Sequence, residues 1–368
     1  MTSHTAPETA LETASDSGTD LYLSAPPSPP YLKLDAQDGK WIINNETSMT
    51  KTDTWGVKHF EFGREQYLNV KDTGGEFTAP DIYGKLHTCT VEPPSIQEYE
   101  GKDQLCGPSL YLRPHLDLMW PPVETKLRDK WGVYPGDAGC LIWIRRRDII
   151  DDSKEALHEF CKNLDHAGSQ VFVDSAQLWN SGGEALEKNL ADDAVKVPGI
   201  DKIVCIGMGA LKRVDWFLQH VSVSRIRKIL ADKQGKAITA IPIYAQDPYY
   251  CRKCKAILRE MDFEIVEDPD GFMKIDNNTF VISIHPSVPV RQIAVWRTRE
   301  GGPAGMLCNR IYDEEVVEQK EKRKRDAGAH FLCEYKTRCT TLPWNDVDSP
   351  PESRAFSHSE MYIRNTTK

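Results

Sequence analysis

From residue 203 onward the chain alternates short apolar runs with stretches of helical period, the pattern of βαβ units and a mostly parallel sheet. Ile203–Ile206 predicts a buried strand that turns into a helix from about Arg213 to Leu230. Ile238–Tyr244 predicts the next strand, followed through Asp247-Pro248 by a helix with Tyr250, Cys254, Ile257, Leu258 and Met261 on one face. Phe263–Val266 predicts a third strand ahead of the turn signal Asp268-Pro269-Asp270-Gly271. Phe280–Ile284 predicts a fourth, running into His285-Pro286 and a short helix over Val290–Arg297. Gly301-Gly302-Pro303 then breaks the chain before a strand near Gly305–Cys308. The expected fold is α/β: a Rossmann-like, doubly wound, mostly parallel sheet with helices on both faces, plus irregular N-terminal and C-terminal extensions.

Outside that region the pattern divides the chain further. The α/β core is expected over 141–312, entered through a strand at Leu141–Ile144, a helix over Asp152–Leu164, a strand at Gln170–Val173 and a helix from about Gly183 to Val195. Residues 31–140 set aromatics among Gly, Pro and Asp with no sustained helical period, which predicts an irregular N-terminal extension of short strands and long loops. Residues 1–30 are rich in Thr, Ser, Ala and Pro and cannot bury enough apolar surface to offset the entropy of ordering, so a disordered tail is expected. Residues 313–368 form a C-terminal extension with a charged, helix-prone run at Glu314–Arg325 and a short strand at Met361–Ile363.

Composition narrows the partners. Lys plus Arg number 46 against 55 Asp plus Glu, a formal net charge of -9, so neither nucleic acid nor an anionic membrane is expected as a partner. No apolar run approaches the ~20 residues that span a bilayer, and residues 1–30 carry no apolar signal region. An intracellular, soluble chain with its ten cysteines reduced is the expectation.

Candidate chemistry gathers at predicted strand ends. Gly207 and Gly209 follow the Ile203 strand as Gly-x-Gly, but Lys212 stands where a dinucleotide fingerprint has its third glycine. With right-handed crossovers, the Ile203 and Phe280 strands lie side by side where the strand order reverses, bringing Gly207, Gly209 and His285 to one crevice with Asp247 on the flanking strand. Such a crevice suits a small-molecule ligand. Each residue also has a structural reading: glycines serve tight turns, Asp247 caps the following helix with Pro248 at its first position, and His285 is held by hydrogen bonds. Cys251 and Cys254 are placed inside a predicted helix, where core thiols are favoured over a zinc site, and no metal is expected. No G-x-S-x-G elbow, phosphate-binding P-loop or H-E-x-x-H is present.

Taken in order, Ile203-Val204-Cys205-Ile206-Gly207-Met208-Gly209, Tyr244-Ala245-Gln246-Asp247-Pro248, the Glu267–Gly271 turn and Phe280-Val281-Ile282-Ser283-Ile284-His285-Pro286 resemble the sensitivity-to-red-light-reduced (SRR-like) domain family. The resemblance covers about 166–312, and the long flanks resemble those of fungal members. Ala245 and Gln246 spread the family's Tyr-Asp-Pro, and Ile284-His285-Pro286 replaces its Pro-His-Cys. The resemblance implies a regulatory protein of cytoplasm and nucleus, linked to light signalling, the circadian clock and haem metabolism, with protein partners and no assigned catalysis or cofactor. The competing reading is an S-adenosylmethionine- or nucleotide-dependent transferase. Against a dinucleotide, Asp247 lies 40 positions after Gly207, where roughly 20 is usual.

Overall fold

The computed structural model describes residues 32–35, 40–43, 57–80, 86–99, 102–112, 142–148, 184–192, 194–211, 214–298, 301–311, 330–343, 356 and 358–366. The expected tail 1–30, the helix over Asp152–Leu164, the strand Gln170–Val173 and the charged run Glu314–Arg325 lie outside these residues. Contacts divide the chain into Met1–Asn45 and Glu46–Lys368. In the first unit, β1 (Leu32–Asp35) and β2 (Lys40–Ile43) pair antiparallel.

The second unit begins with a helix that the sequence pattern did not announce, α1 (Val57–Val70). Among its side chains of described burial, Tyr67 and Val70 are buried while Leu68 between them faces outward, which weakens the helical period there. β3 (Gly75–Pro80) and β4 (Leu86–Val91) form an antiparallel pair, and β5 (Ser95–Tyr99), β6 (Lys102–Leu112) and β7 (Ile142–Asp148) a three-stranded antiparallel sheet. β7 is the strand expected to open the α/β core at 141. It instead completes this separate sheet through pairing with β6, so that boundary is corrected.

The main sheet follows α2 (Glu184–Ala191). β8 (Lys202–Ile206), α3 (Val214–Lys233), β9 (Ile243–Gln246), α4 (Arg252–Glu260) and β10 (Phe263–Ile265) build one wing. The four-residue helix α5 (Asp270–Met273), β11 (Thr279–Ser283), α6 (Val290–Arg297) and β12 (Gly305–Asn309) build the other. After α7 (His330–Thr337) come β13 (Cys339–Pro343) and β14 (Ser359–Arg364). The spatial order is β10-β9-β8-β11-β12-β14-β13; the first five strands run parallel and β14 runs antiparallel to both neighbours. Numbered within the sheet this is 3-2-1-4-5-7-6, the doubly wound order with one reversed strand inserted near its edge. The expected α/β class holds.

Burial on both faces explains the unbroken apolar runs of the central strands: Ile203–Ile206 and Thr279–Ser283 are buried throughout. α3 is also enclosed on most sides, with Phe217–Val223 buried in an unbroken row. The predicted strand Ile238–Tyr244 starts late. Residues Ile238–Ala240 form a 3-10 turn whose Ile238 carbonyl accepts from Arg227 Nε at 2.9 Å, and pairing begins only beyond Pro242. Arg227 also binds Asp262, so one buried guanidinium holds the turns on either side of β9 and α4.

The core also runs past the expected limit at 312. β14 inserts between β12 and β13, and Met361 and Ile363 are fully buried with Leu342 nearly so. Gly302 and Tyr335 pack so closely that a Cβ at 302 would lie 2.1 Å from the Tyr335 ring. Each fully buried large apolar side chain contributes about 1.5–3 kcal/mol, against a total stability of roughly 5–15 kcal/mol. A chain ending at Arg310 is therefore expected to lose cooperative unfolding, as read by chemical denaturation beside the full chain; an unchanged transition would show that the C-terminal hairpin is dispensable.

Candidate functional site

Strand order places the switch point between β8 and β11, whose flanking crossovers run in opposite directions. Four candidates stand at the carboxyl ends of these strands and of β9, as topology requires: Gly207 and Gly209 after β8, Asp247 after β9 and His285 after β11. They fall into two hydrogen-bonded groups rather than one.

The first group is the glycine turn. Gly207 and Gly209 have φ of +68° and +80°, a conformation that glycine adopts without steric cost. Gly207 N donates to Gln246 O at 3.0 Å. Gly209 N donates to Asp247 Oδ2 at 2.6 Å, while Asp247 Oδ1 accepts from Tyr249 N at 2.8 Å. Asp247 is thus committed on both oxygens, combining a turn-capping role with a clamp on Gly209. Trp216 covers the turn from α3: a Cβ at Gly209 would lie 2.9 Å from its indole ring. Pro286 closes the other side, 3.1 Å from where a Gly207 Cβ would stand.

The second group surrounds His285. Its φ of +50° is rare for a residue with a side chain. Asn309, at the end of β12, binds it twice: His285 N donates to Asn309 Oδ1 at 2.8 Å, and Asn309 Nδ2 donates to His285 Nδ1 at 2.8 Å. An acceptor role for Nδ1 places the neutral ring's proton on Nε2. The imidazole is exposed although the strand before it is fully buried. Beneath both groups, Ser283 Oγ donates to Ile206 O at 2.7 Å and ties the ends of β11 and β8 together.

Behind the glycine turn lies a buried polar pair that sequence reasoning missed. His220 on α3 is fully buried, with Nδ1–H donating to Trp216 O at 2.7 Å and Nε2 accepting from Tyr250 OH at 2.8 Å. The carbonyl only accepts, which fixes this tautomer. Burial pushes the His220 pKa down to about 4, partly opposed by the Trp216 bond. Burial also raises the Tyr250 phenol, with the Asp247 charge adding to it. Gln246 is a further missed residue: its Oε1 accepts from Gly271 N at 2.6 Å and its Nε2 donates to Asp268 Oδ1 at 2.9 Å, fastening the 268–271 turn to β9. Arg64 of α1 reaches that turn as well, 2.6 Å from Asp270.

Asn309 was legible in principle, as a polar residue ending a parallel strand beside the one that ends in His285. The His220–Tyr250 pair, 30 positions apart, has no local signal. Among the described residues no group of three or more His, Cys, Asp or Glu side chains is placed to hold a metal ion, and no helix is long and apolar enough to cross a membrane. Cys251 is not inside α4 as expected. It is the N-cap residue, and its side chain is buried along with that of Cys254.

Residues 183–363 match the family model described as the SRR1 domain, which supports the SRR-like family and carries the match through the C-terminal hairpin. No curated protein matches the chain. Among solved structures, Haemonchus contortus phosphoethanolamine N-methyltransferase 2 in complex with phosphomonomethylethanolamine and S-adenosylhomocysteine is 9% identical, with 74% of this chain and 72% of that chain covered and a TM-score of 0.29. The selenomethionine form of Haemonchus contortus phosphoethanolamine N-methyltransferase 2 with S-adenosyl-L-methionine is 12% identical, with 67% of this chain and 56% of that chain covered and a TM-score of 0.27. The strand order, not these likenesses, establishes the fold.

Neutral, buried His220 makes a pH prediction. Its folded pKa of about 4 lies below the unfolded value of ~6.5, so the unfolded chain binds the extra proton between those limits. Its contribution is intact above about pH 6.5 and is lost as pH falls toward 4, by about 3 kcal/mol in all. Chemical denaturation of wild type and His220→Gln at pH 7 and 4.5 is expected to show a smaller acid loss in the variant. Equal losses would mean that His220 does not titrate with unfolding.

Proposed function

We propose that the SRR1-domain region senses a small ligand at the switch-point crevice and that the chain acts as a regulator, without catalysis of its own. The observation that carries this reading is His285. A side chain held at positive φ costs about 1–3 kcal/mol, and such strain clusters at functional positions. Here it presents an imidazole to solvent at the fold's usual ligand-binding place, oriented through both ring and backbone by Asn309. A regulatory role, with protein partners in cytoplasm and nucleus and links to light or circadian signalling or haem metabolism, is what the family resemblance adds.

The geometry also narrows the ligand. Both glycine amides donate within the protein and the Asp247 carboxylate sits against the turn, so the two glycines offer no free amide to a phosphate and the charge held against them is negative. A neutral or cationic ligand fits better than a pyrophosphate. This favours, as the second reading, an S-adenosylmethionine-dependent transferase over a nucleotide-dependent one, because a sulfonium suits an acidic turn. For Asp247 to bind a ribose in that reading it would have to release Gly209 or Tyr249.

Thermal unfolding with S-adenosylmethionine, S-adenosylhomocysteine, NAD and a porphyrin tests both readings, since a ligand at 100 times its Kd stabilises by ~2.7 kcal/mol. One ligand is expected to raise the melting temperature of wild type and to have no effect on His285→Ala, which keeps a Cβ at the same positive φ and loses the ring's bond to Asn309, so that its ligand-free melting temperature should fall only slightly. A shift with S-adenosylmethionine, followed by methyl transfer to any acceptor, would replace the sensor with the enzyme. Full biological complementation by His285→Ala would remove the crevice from function.

A further inference from the structure

The C-x-x-C pair at 251 and 254 is the chemistry that the switch-point reading leaves unused. α4 is a nine-residue helix, and Cys251 precedes it in extended conformation (φ −73°, ψ 169°) as the N-cap. Its sulfur accepts from Cys254 N at 3.5 Å, and the two sulfurs are 3.4 Å apart across the first turn. The strand β9 leads into this turn and β10 follows the helix, the βαβ setting in which C-x-x-C reads as a dithiol. A zinc site would need two further ligands, and among the described residues no group of three metal-ligating side chains contains this pair.

We propose that Cys251 and Cys254 form a reversible disulfide, making the start of α4 a redox site. The sulfurs must close by about 1.4 Å to reach a bond length of ~2.05 Å, a distance that side-chain rotation supplies. The oxidant is a low-molecular-weight disulfide. The Cys251 thiolate attacks one sulfur of that molecule, forming a mixed disulfide and releasing one thiolate, which takes up the proton. The Cys254 thiolate then attacks the Cys251 sulfur and expels the second thiol. Two protein thiols become one disulfide, and one small disulfide becomes two thiols.

Both sulfurs are buried, so exchange proceeds from a locally opened state of the 247–251 segment, at whose surface Tyr249 is exposed. The same segment begins with Asp247, which holds Gly209. The new bond would therefore fix the anchor of the glycine turn, and its formation does not depend on any ligand there.

The full chain, reduced, desalted and incubated under native conditions with oxidised glutathione, is then alkylated and mapped by mass spectrometry. Arg252 and Lys253 lie between the two cysteines, so trypsin separates them unless they are bonded. The expected result is a linked Cys251–Cys254 species in wild type, reversed by dithiothreitol and absent from Cys251→Ala. Alkylation of both residues after oxidation, glutathione retained on Cys251 while Cys254 is alkylated, or a link from either to buried Cys205 would each overturn the proposal. The wild-type map decides it even where the variant folds poorly.

Discussion

The carboxylate of Asp247 is the contact on which the centre of the molecule depends. β8 is the middle strand of the parallel region, and its exit must reverse tightly to reach α3. Asp247 makes that reversal from the neighbouring strand: one oxygen holds Gly209 N and the other holds Tyr249 N. A hydrogen bond to a charged acceptor contributes about 1.5–3 kcal/mol, more than a neutral one. It also joins two wings of structure, since Gly209 is pressed by Trp216 from α3 while Tyr249 leads into α4. The turn, the helix behind it and the helix after β9 are positioned by one side chain.

That arrangement separates scaffold from recognition. The glycine turn, which in dinucleotide-binding proteins presents amides to phosphate, here spends both glycine amides on the protein. Polar groups facing solvent are found instead on the opposite side of the switch point, where His285 and Asn309 end adjacent strands. Ser283 binds Ile206 O between the two sides, so the ends of β8 and β11 have little freedom to part. In the proposed sensor, a ligand at this place would meet the histidine and the amide, with the turn as a fixed wall.

The parallel strands were legible because burial on both faces forces short apolar runs, and turn chemistry punctuates them. Positions of the four candidate residues followed from the same logic, since a residue just past a strand's carboxyl end is fixed once strand order is known. Their partners did not follow. Asn309 meets His285 only through the β11–β12 register, and His220 meets Tyr250 only because α3 and the loop after β9 pack together. The misread segments have local causes. α1 exposes Leu68 between the buried Tyr67 and Val70, and Arg227 draws Ile238 into a 3-10 turn where β-branched residues suggested a strand. β13 and β14 are far from the βαβ series in sequence, so nothing local marks them as part of its sheet.

The two histidines show why residue type alone could not locate function. His220 has both ring nitrogens committed to buried partners and is held neutral by burial, which fits a role in packing α3 against the Tyr250 loop. His285 is exposed and sits at positive φ, and Asn309 fixes its ring from one nitrogen. Removing His220 leaves a buried phenol without its acceptor, a cost paid in stability. Removing the exposed His285 ring leaves a polar surface and costs the bond to Asn309, a smaller loss than that of a buried partner. His285 is thus the exposed histidine that the strand order brings to the switch point, and His220 is the buried one that belongs with the core.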